Sequence, residues 1–395
     1  MEQNPTLSPQ KMDTQAQSLF PGFAPMPGQP AFYNTARQTW LVFRYDSVQR
    51  VLQEYTTFSN ERGGLDPLQK KSSSAFERPN MLSMDPPRHR QYRNLAASAF
   101  TPRTIAKLEP RIIRIVHALL DRVIDRGEMD VIDDLSYPLS ITVIAELLGV
   151  PASDQEQFRR WTEDFFQITT PEAQQAQQEL GSYFQHVLEQ HRREPQDDLI
   201  TALLNAEIDE HKLTDGELIS LCSLILLAGN DTTRNLIGNL LLCLDAFPLA
   251  MEQIRANPDL IPSAIEETLR FLPSVHTAPR LCIADTELDD QQIKAGQWVM
   301  PMLASANRDA SYFPDPDVFE INRSPNRHLT FGYGIHFCLG APLARLESKI
   351  AMEILLTRMH DIKRVGNILL QPLVSPVIYG VRHLPITFTR TSASA

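Results

Sequence analysis

The sequence predicts a mainly α-helical fold with small β-sheets, and three patterns carry that expectation. Residues 103–149 and 154–194 place apolar side chains three and four apart, as at Ile112, Ile115, Leu119 and Leu120. That is the spacing of amphipathic helices packed in a bundle. Thr214 and Glu217 form a capping-box pair ahead of an apolar pattern that nothing breaks before Pro248, so one helix is expected over 214–247, about 50 Å long at ~1.5 Å per residue. Short extended stretches punctuated by Pro and Gly fill 273–301 and 372–388 and supply the sheets.

In chain order, residues 1–33 are rich in Pro, Gln and small polar side chains and are expected to be loosely structured. They lack the basic and apolar regions of a secretory leader. Residues 39–43 read as a short strand and 45–53 as a helix with Asp46 near its start. Gln and Glu crowd 171–190, which reads as a solvated pair of helices joined by a loop. The longest strongly apolar run, 218–229, is shorter than the ~18–20 residues needed to cross a bilayer. A buried helix is expected there, and no membrane attachment.

Composition narrows the function classes. Of 395 residues, 43% are hydrophobic and 22% charged, an ordinary globular balance. A net charge of -11 argues against nonspecific nucleic-acid binding, which needs a surplus of Lys and Arg. The four cysteines, Cys222, Cys243, Cys282 and Cys338, are spaced for neither a zinc site nor a small disulfide framework. A reducing, cytoplasmic setting is expected.

The most informative stretch is FGYGIHFCLG, residues 331–340, which runs into APLARLESKIAMEILL. Glycines at 332, 334 and 340 allow positive φ and close approach to a flat partner, and Pro342 stands where a first-turn proline belongs. Cys338 then lies just ahead of a helix N-terminus, where free N–H groups and the helix dipole favour the thiolate that binds iron. A lone cysteine is ordinarily one more small buried side chain. Here Phe331, Gly334, Cys338 and Gly340 fill every position of a pattern that resembles the haem-binding signature of the cytochrome P450 family.

That resemblance extends in order from about residue 82 to 384, and it implies a single cytochrome P450 domain over 1–395 with haem b as cofactor and Cys338 as the axial iron ligand. Glu267 and Arg270 resemble the family's Glu-x-x-Arg motif, and the segment 306–323 supplies Arg323 to complete a structural Glu-Arg-Arg cluster. DPPRHRQYR, residues 85–93, resembles the segment whose histidine and arginine, here His89 and Arg93, bind haem propionates; Arg280 and His336 match further propionate ligands. By the same likeness, Phe331 and Gly340 belong to the haem pocket, together with Ala228 and Gly229 of LLAGNDTT.

LLAGNDTT, residues 226–233, interrupts an apolar helix with a glycine, an acid and two hydroxyls. A helix irregularity, with Thr232 bonded back to the carbonyl of Ala228 or Gly229, would account for it. The family resemblance implies instead an oxygen-binding groove in which Gly229 opens room beside the iron. There Thr232 and Asp231 would serve as an alcohol–acid pair handling protons.

The activity so implied is a monooxygenase that hydroxylates or epoxidises a lipophilic small molecule of terpenoid, steroid, fatty-acid or macrolide type. By family analogy, residues 81–84, 165–170, 224–228, 274–278 and 377–379 line its pocket. The 57 residues after Cys338 are too few for a reductase domain, so electrons are expected from NAD(P)H through a separate ferredoxin or flavodoxin and its reductase. Between Pro86 and Leu108 stand four arginines, one lysine and His89 with no Asp or Glu. This is either a solvated helix face or a docking surface for an acidic partner. A monomer is expected. The competing classes are a peroxide-using or non-oxygenating haem-thiolate enzyme and a noncatalytic haem sensor.

Overall fold

The computed structural model describes residues 28–61, 80–151, 154–165, 171–208, 211–366, 370–373, 375 and 377–391. Strands β1 (Phe32–Asn34) and β2 (Thr39–Val42) pair antiparallel, and α1 (Tyr45–Gln53) and β3 (Phe58–Ser59) follow. The helix at 45–53 stands where the sequence places it. Helices α2 (Arg88–Ala97) and α3 (Pro102–Asp121) come next; Thr101 caps α3 by accepting from Thr104 N–H at 3.2 Å.

The helical spacing over 103–149 conceals a break. After α3 come β4 (Glu128–Asp130), a π-helical turn at Val131–Ser136 and then α4 (Tyr137–Leu148). Gly149 ends α4 at φ +82°, and a Cβ there would lie 2.0 Å from Asp198 Oδ2. Helix α5 (Gln155–Phe165) precedes α6 (Pro171–Arg193), a single helix and not the expected pair. Ala173, Ala176, Leu180, Phe184, Val187 and Leu188 bury one continuous stripe of α6, and the dense Gln and Glu lie mostly off it.

Asp198 caps α7 (Leu199–Asn205), and the hairpin of β5 (Glu207–Ile208) and β6 (His211–Lys212) leads to α8 (Asp215–Ala246). The capping box at its start is made. Thr214 N–H donates to Glu217 Oε2 at 2.8 Å, and Glu217 N–H donates to Thr214 Oγ1 at 3.3 Å. Helix α8 is the central beam, packing against α4, α6 and later helices, and 23 of its 32 residues are buried. Its apolar surface therefore meets protein on nearly all sides.

Helices α9 (Pro248–Ala256) and α10 (Ile261–Phe271) follow, then β7 (Arg280–Cys282), β8 (Thr286–Leu288), β9 (Gln291–Ile293), β10 (Trp298–Pro301) and the short α11 (Leu303–Ala306). Helix α12 (Ala341–Arg358) carries on from the cysteine loop, and β11 (Met359–Arg364) and β12 (Pro385–Arg390) close the chain. One sheet has the order β1-β2-β10-β7-β3 and another β11-β12-β4. The larger apolar cluster lies among the helices, and a smaller one between α1 and the five-stranded sheet. Among the described residues no single helix is long and apolar enough to cross a membrane; α8 and α9 pass only as a pair, bent by 106°.

Candidate functional site

Gly332 and Gly334 shape the cysteine loop. They adopt φ +76° and +72°, and a Cβ on Gly334 would come within 3.2 Å of the α1 backbone at Leu52 and Gln53. Gly340 differs from expectation: as the N-cap of α12 it has φ -80° and needs no positive-φ freedom. Cys338 N–H donates to Phe331 O at 2.8 Å and closes the loop. Cys222, Cys243 and Cys282 are buried, whereas Cys338 is half-buried.

Burial pushes the Cys338 thiol up, against the N–H groups of Gly340 and Ala341 and the nearby charges of Arg93 and Arg345. The helix N-terminus thus supplies the donors read from the sequence, but desolvation outweighs them. A bound cation beside the sulfur would favour the thiolate.

Four cationic or imidazole groups gather beside this loop. His89 and Arg93 lie on α2, and Arg93 Nη2 donates to Phe337 O at 2.6 Å. The His89 and His336 rings are 4.1 Å apart between centroids. Each has a buried Nε2 with no hydrogen-bond partner. Burial, and then the Arg93 charge, lowers His89 to about 4. Burial followed by Arg280, His89 and Arg93 lowers His336 to about 2. Two neutral imidazoles and two guanidinium groups therefore converge, with the Asp85 carboxylate 4.0 Å from His336 Nε2. That donor set fits the carboxylate edge of a cofactor, since buried polar atoms are rarely left unpaired.

Glu267, Arg270 and Arg323 form a separate buried cluster. Arg270 donates to both Glu267 oxygens at 2.7 and 2.9 Å, and Arg323 Nε donates to Oε1 at 3.3 Å. The remaining Arg270 donors reach the carbonyls of Asn307, Pro316 and Val318 at 2.8–2.9 Å. This cluster fastens α10 to the irregular segment ahead of the cysteine loop.

Sequence reasoning missed the neighbouring Glu266. It accepts from Arg345 on α12 at 2.6 and 2.8 Å and from His328 at 3.1 Å. Burial pushes the Glu266 carboxyl up, but these donors hold it at about 2. The signal available was Arg345, a cation two turns beyond Cys338 on the predicted helix.

On α8, Ala228, Gly229 and Thr232 are the residues between Ser220 and Leu244 that are not buried. The beam is uncovered at that place alone within the span. Thr232 Oγ1 donates to Ala228 O at 2.7 Å, the back-bond considered from sequence. Asp231 points elsewhere: its carboxylate lies 3.5 Å from Arg234 Nη1, with both side chains buried.

Gly229 has a packing reason, because a Cβ would fall 2.6 Å from Cδ1 of Ile144 on α4. Its smallness therefore relieves the α4 contact, not the uncovered side. Of the pocket segments expected from sequence, 166–170 and the Phe165 side chain lie outside the described residues. Met81 and Met84 are buried and Leu82 is exposed.

The cytochrome P450 family model matches residues 128–360. The chain is similar to putative cytochrome P450 YjiB of Bacillus subtilis (strain 168), with 39% identity over 366 residues, covering 89% of each chain. It is also similar to the solved structure of CYP109Q5 from Chondromyces apiculatus, with 41% identity, TM-score 0.85, and 93% of this chain and 94% of the other covered. The structure of CYP109E1 from Bacillus megaterium in complex with testosterone is 38% identical, with TM-score 0.85 and coverage of 91% and 94%. The chain accordingly belongs to the cytochrome P450 family and is a haem monooxygenase.

Proposed function

We propose that this P450 inserts one oxygen atom from O2 into a lipophilic small molecule, using haem b held by Cys338. The reading takes 1–395 as one domain, acting as a cytoplasmic monomer. Its electrons come from NAD(P)H through a ferredoxin or flavodoxin and its reductase. The observation that carries it is the half-buried Cys338, alone of four cysteines placed against the N–H groups of a helix start. When bound, the haem supplies oxygen activation through a thiolate-ligated iron.

The chain's own residues then have distinct tasks. His89, Arg93, Arg280 and His336 hold the propionates, the two orphaned Nε2 atoms gaining acceptors. Phe331, Gly340, Ala228 and Gly229 border the porphyrin. Thr232 turns its hydroxyl from Ala228 O toward the uncovered side, and Asp231 passes protons to it from the Arg234 side. Glu267, Arg270 and Arg323 keep the segment before the loop in place.

For the substrate, the testosterone complex of CYP109E1 supports a steroid or a comparably rigid lipophile. Arg88 and Arg93 of the basic stretch are engaged internally, which leaves exposed Arg90, Arg103 and Lys107 for an acidic electron donor.

Purified haem-loaded protein should give the carbon-monoxide band typical of thiolate ligation when reduced, and Cys338→Ala should lose it. Persistence of the band in the variant would overturn the ligand assignment. Titration with steroids, terpenoids, fatty acids and macrolides should show the displacement spectrum for one class, steroids being expected.

A further inference from the structure

Glu266, Arg345 and His328 have no task in the roles above, yet they converge on the cysteine loop. Arg345 Cζ lies 4.5 Å from the centre of the Phe331 ring. Phe331 is the residue whose carbonyl accepts the Cys338 N–H at 2.8 Å. Glu266, from α10, grips the same guanidinium through two hydrogen bonds of 2.6 and 2.8 Å. His328 Nε2 faces this carboxylate at 3.1 Å, while Thr330 N–H donates to His328 Nδ1 at 3.3 Å. Acceptance at Nδ1 leaves Nε2 as the donor, so the carboxylate is held from two sides.

Freely solvated ion pairs do little to their surroundings. This one is about one-third exposed, at 36% for Arg345 and 29% for Glu266, and an aromatic ring covers one flank. A forked, stacked guanidinium is also fixed in place as a flexible ammonium is not. The cation therefore stands on the ring of the residue that closes the cysteine loop, and the anion is paired to that cation. At the sulfur the nearer positive charge prevails, and removing either member changes the field in opposite directions.

We propose that Glu266 and Arg345 form a positioning pair that sets the reduction potential of the Cys338-ligated iron. It rests on the haem-thiolate reading above. The step concerned is a one-electron reduction, ferric to ferrous, with the electron supplied by the redox partner and no bond broken or proton moved. The centre gains one negative charge, which Arg345 stabilises and Glu266 opposes.

The test is a dye-mediated potentiometric titration of the haem-loaded full chain. Arg345→Met should lower the ferrous-to-ferric ratio at a fixed potential about three- to tenfold, and Glu266→Gln should raise it by a similar factor. Arg345→Lys, which keeps the charge but loses the fork and the stacked seat, should fall between Arg345→Met and the parent. Unmoved potentials in both charge-removing variants, or shifts of the same sign, would overturn the proposal, since disturbed loop packing has no reason to change sign between them. The reduced carbon-monoxide band separates the two levels of failure. Its absence from the parent protein sinks the haem-thiolate reading and the pair's role with it. Its presence throughout, with unmoved potentials, sinks the pair alone.

Discussion

The cysteine side and the α8 side of the site are built on opposite terms. Around the cysteine loop, groups are held several times over: Glu267 receives two arginines, Asn326 Nδ2 at 3.0 Å and Glu320 N–H at 2.8 Å. On α8, Thr232 is bonded to its own helix one turn back, and the Asp231–Arg234 contact is 3.5 Å long. A metal ligand needs a fixed position. On the proposed reading Thr232 must exchange partners, and a single helical back-bond lets it do so at low cost.

The largest test of this contrast is Glu267→Ala. It strands two buried guanidinium groups and should cost about 3–5 kcal/mol, read as a lower urea midpoint. A loss below ~1 kcal/mol would show that the cluster is not the rigid member of the comparison.

Next in size is the anchoring of α8 at its start. Burial pushes the Glu217 carboxyl up, yet hydrogen bonds from Tyr92, Thr214 and Arg88 hold it at about 2. A folded value below the unfolded one contributes stability that is complete above the unfolded value of 4.5 and fades as pH falls toward 2. Discounted for partial exposure, the loss should be about 1–2 kcal/mol. Glu217→Gln should flatten that stretch of the stability profile; an unchanged profile would mean the hold is not made in solution.

The smallest change in stability belongs to Thr232→Ala, under ~1 kcal/mol, because the lost bond is a helical back-bond. Its effect should appear in chemistry. Haem spectrum and substrate binding should persist while much of the reducing power is diverted to hydrogen peroxide. Unaltered coupling would place the proton-handling role elsewhere.

The contrast also explains what the sequence discloses. Helix α8 is legible because its start is a local chemical signal, the Thr214 and Glu217 pair, and its end is marked by Pro248. The cysteine loop is legible because its glycines and Cys338 sit within ten residues. Strands β4 and β11 are not: each is largely polar and exists through pairing with β12, which for β4 lies at the other end of the chain and for β11 follows a long connection. The single helix α6 was obscured by polar side chains flanking a narrow buried stripe. The Glu266–Arg345 pair joins residues 79 apart, so Arg345 alone stands near Cys338 in the sequence and nothing local points to its partner. Gly229 was legible as an oddity but not in its cause, which depends on Ile144 arriving from another helix.

Glu217 binds more than its own helix. Tyr92 and Arg88 of α2 both donate to it, and α2 is also the helix of His89 and Arg93. The central beam and the helix that carries the proposed propionate ligands are thus spliced at one carboxylate. Anything that levers the first turn of α8 aside would therefore drag α2 with it, and with α2 the two groups proposed to hold the porphyrin rim.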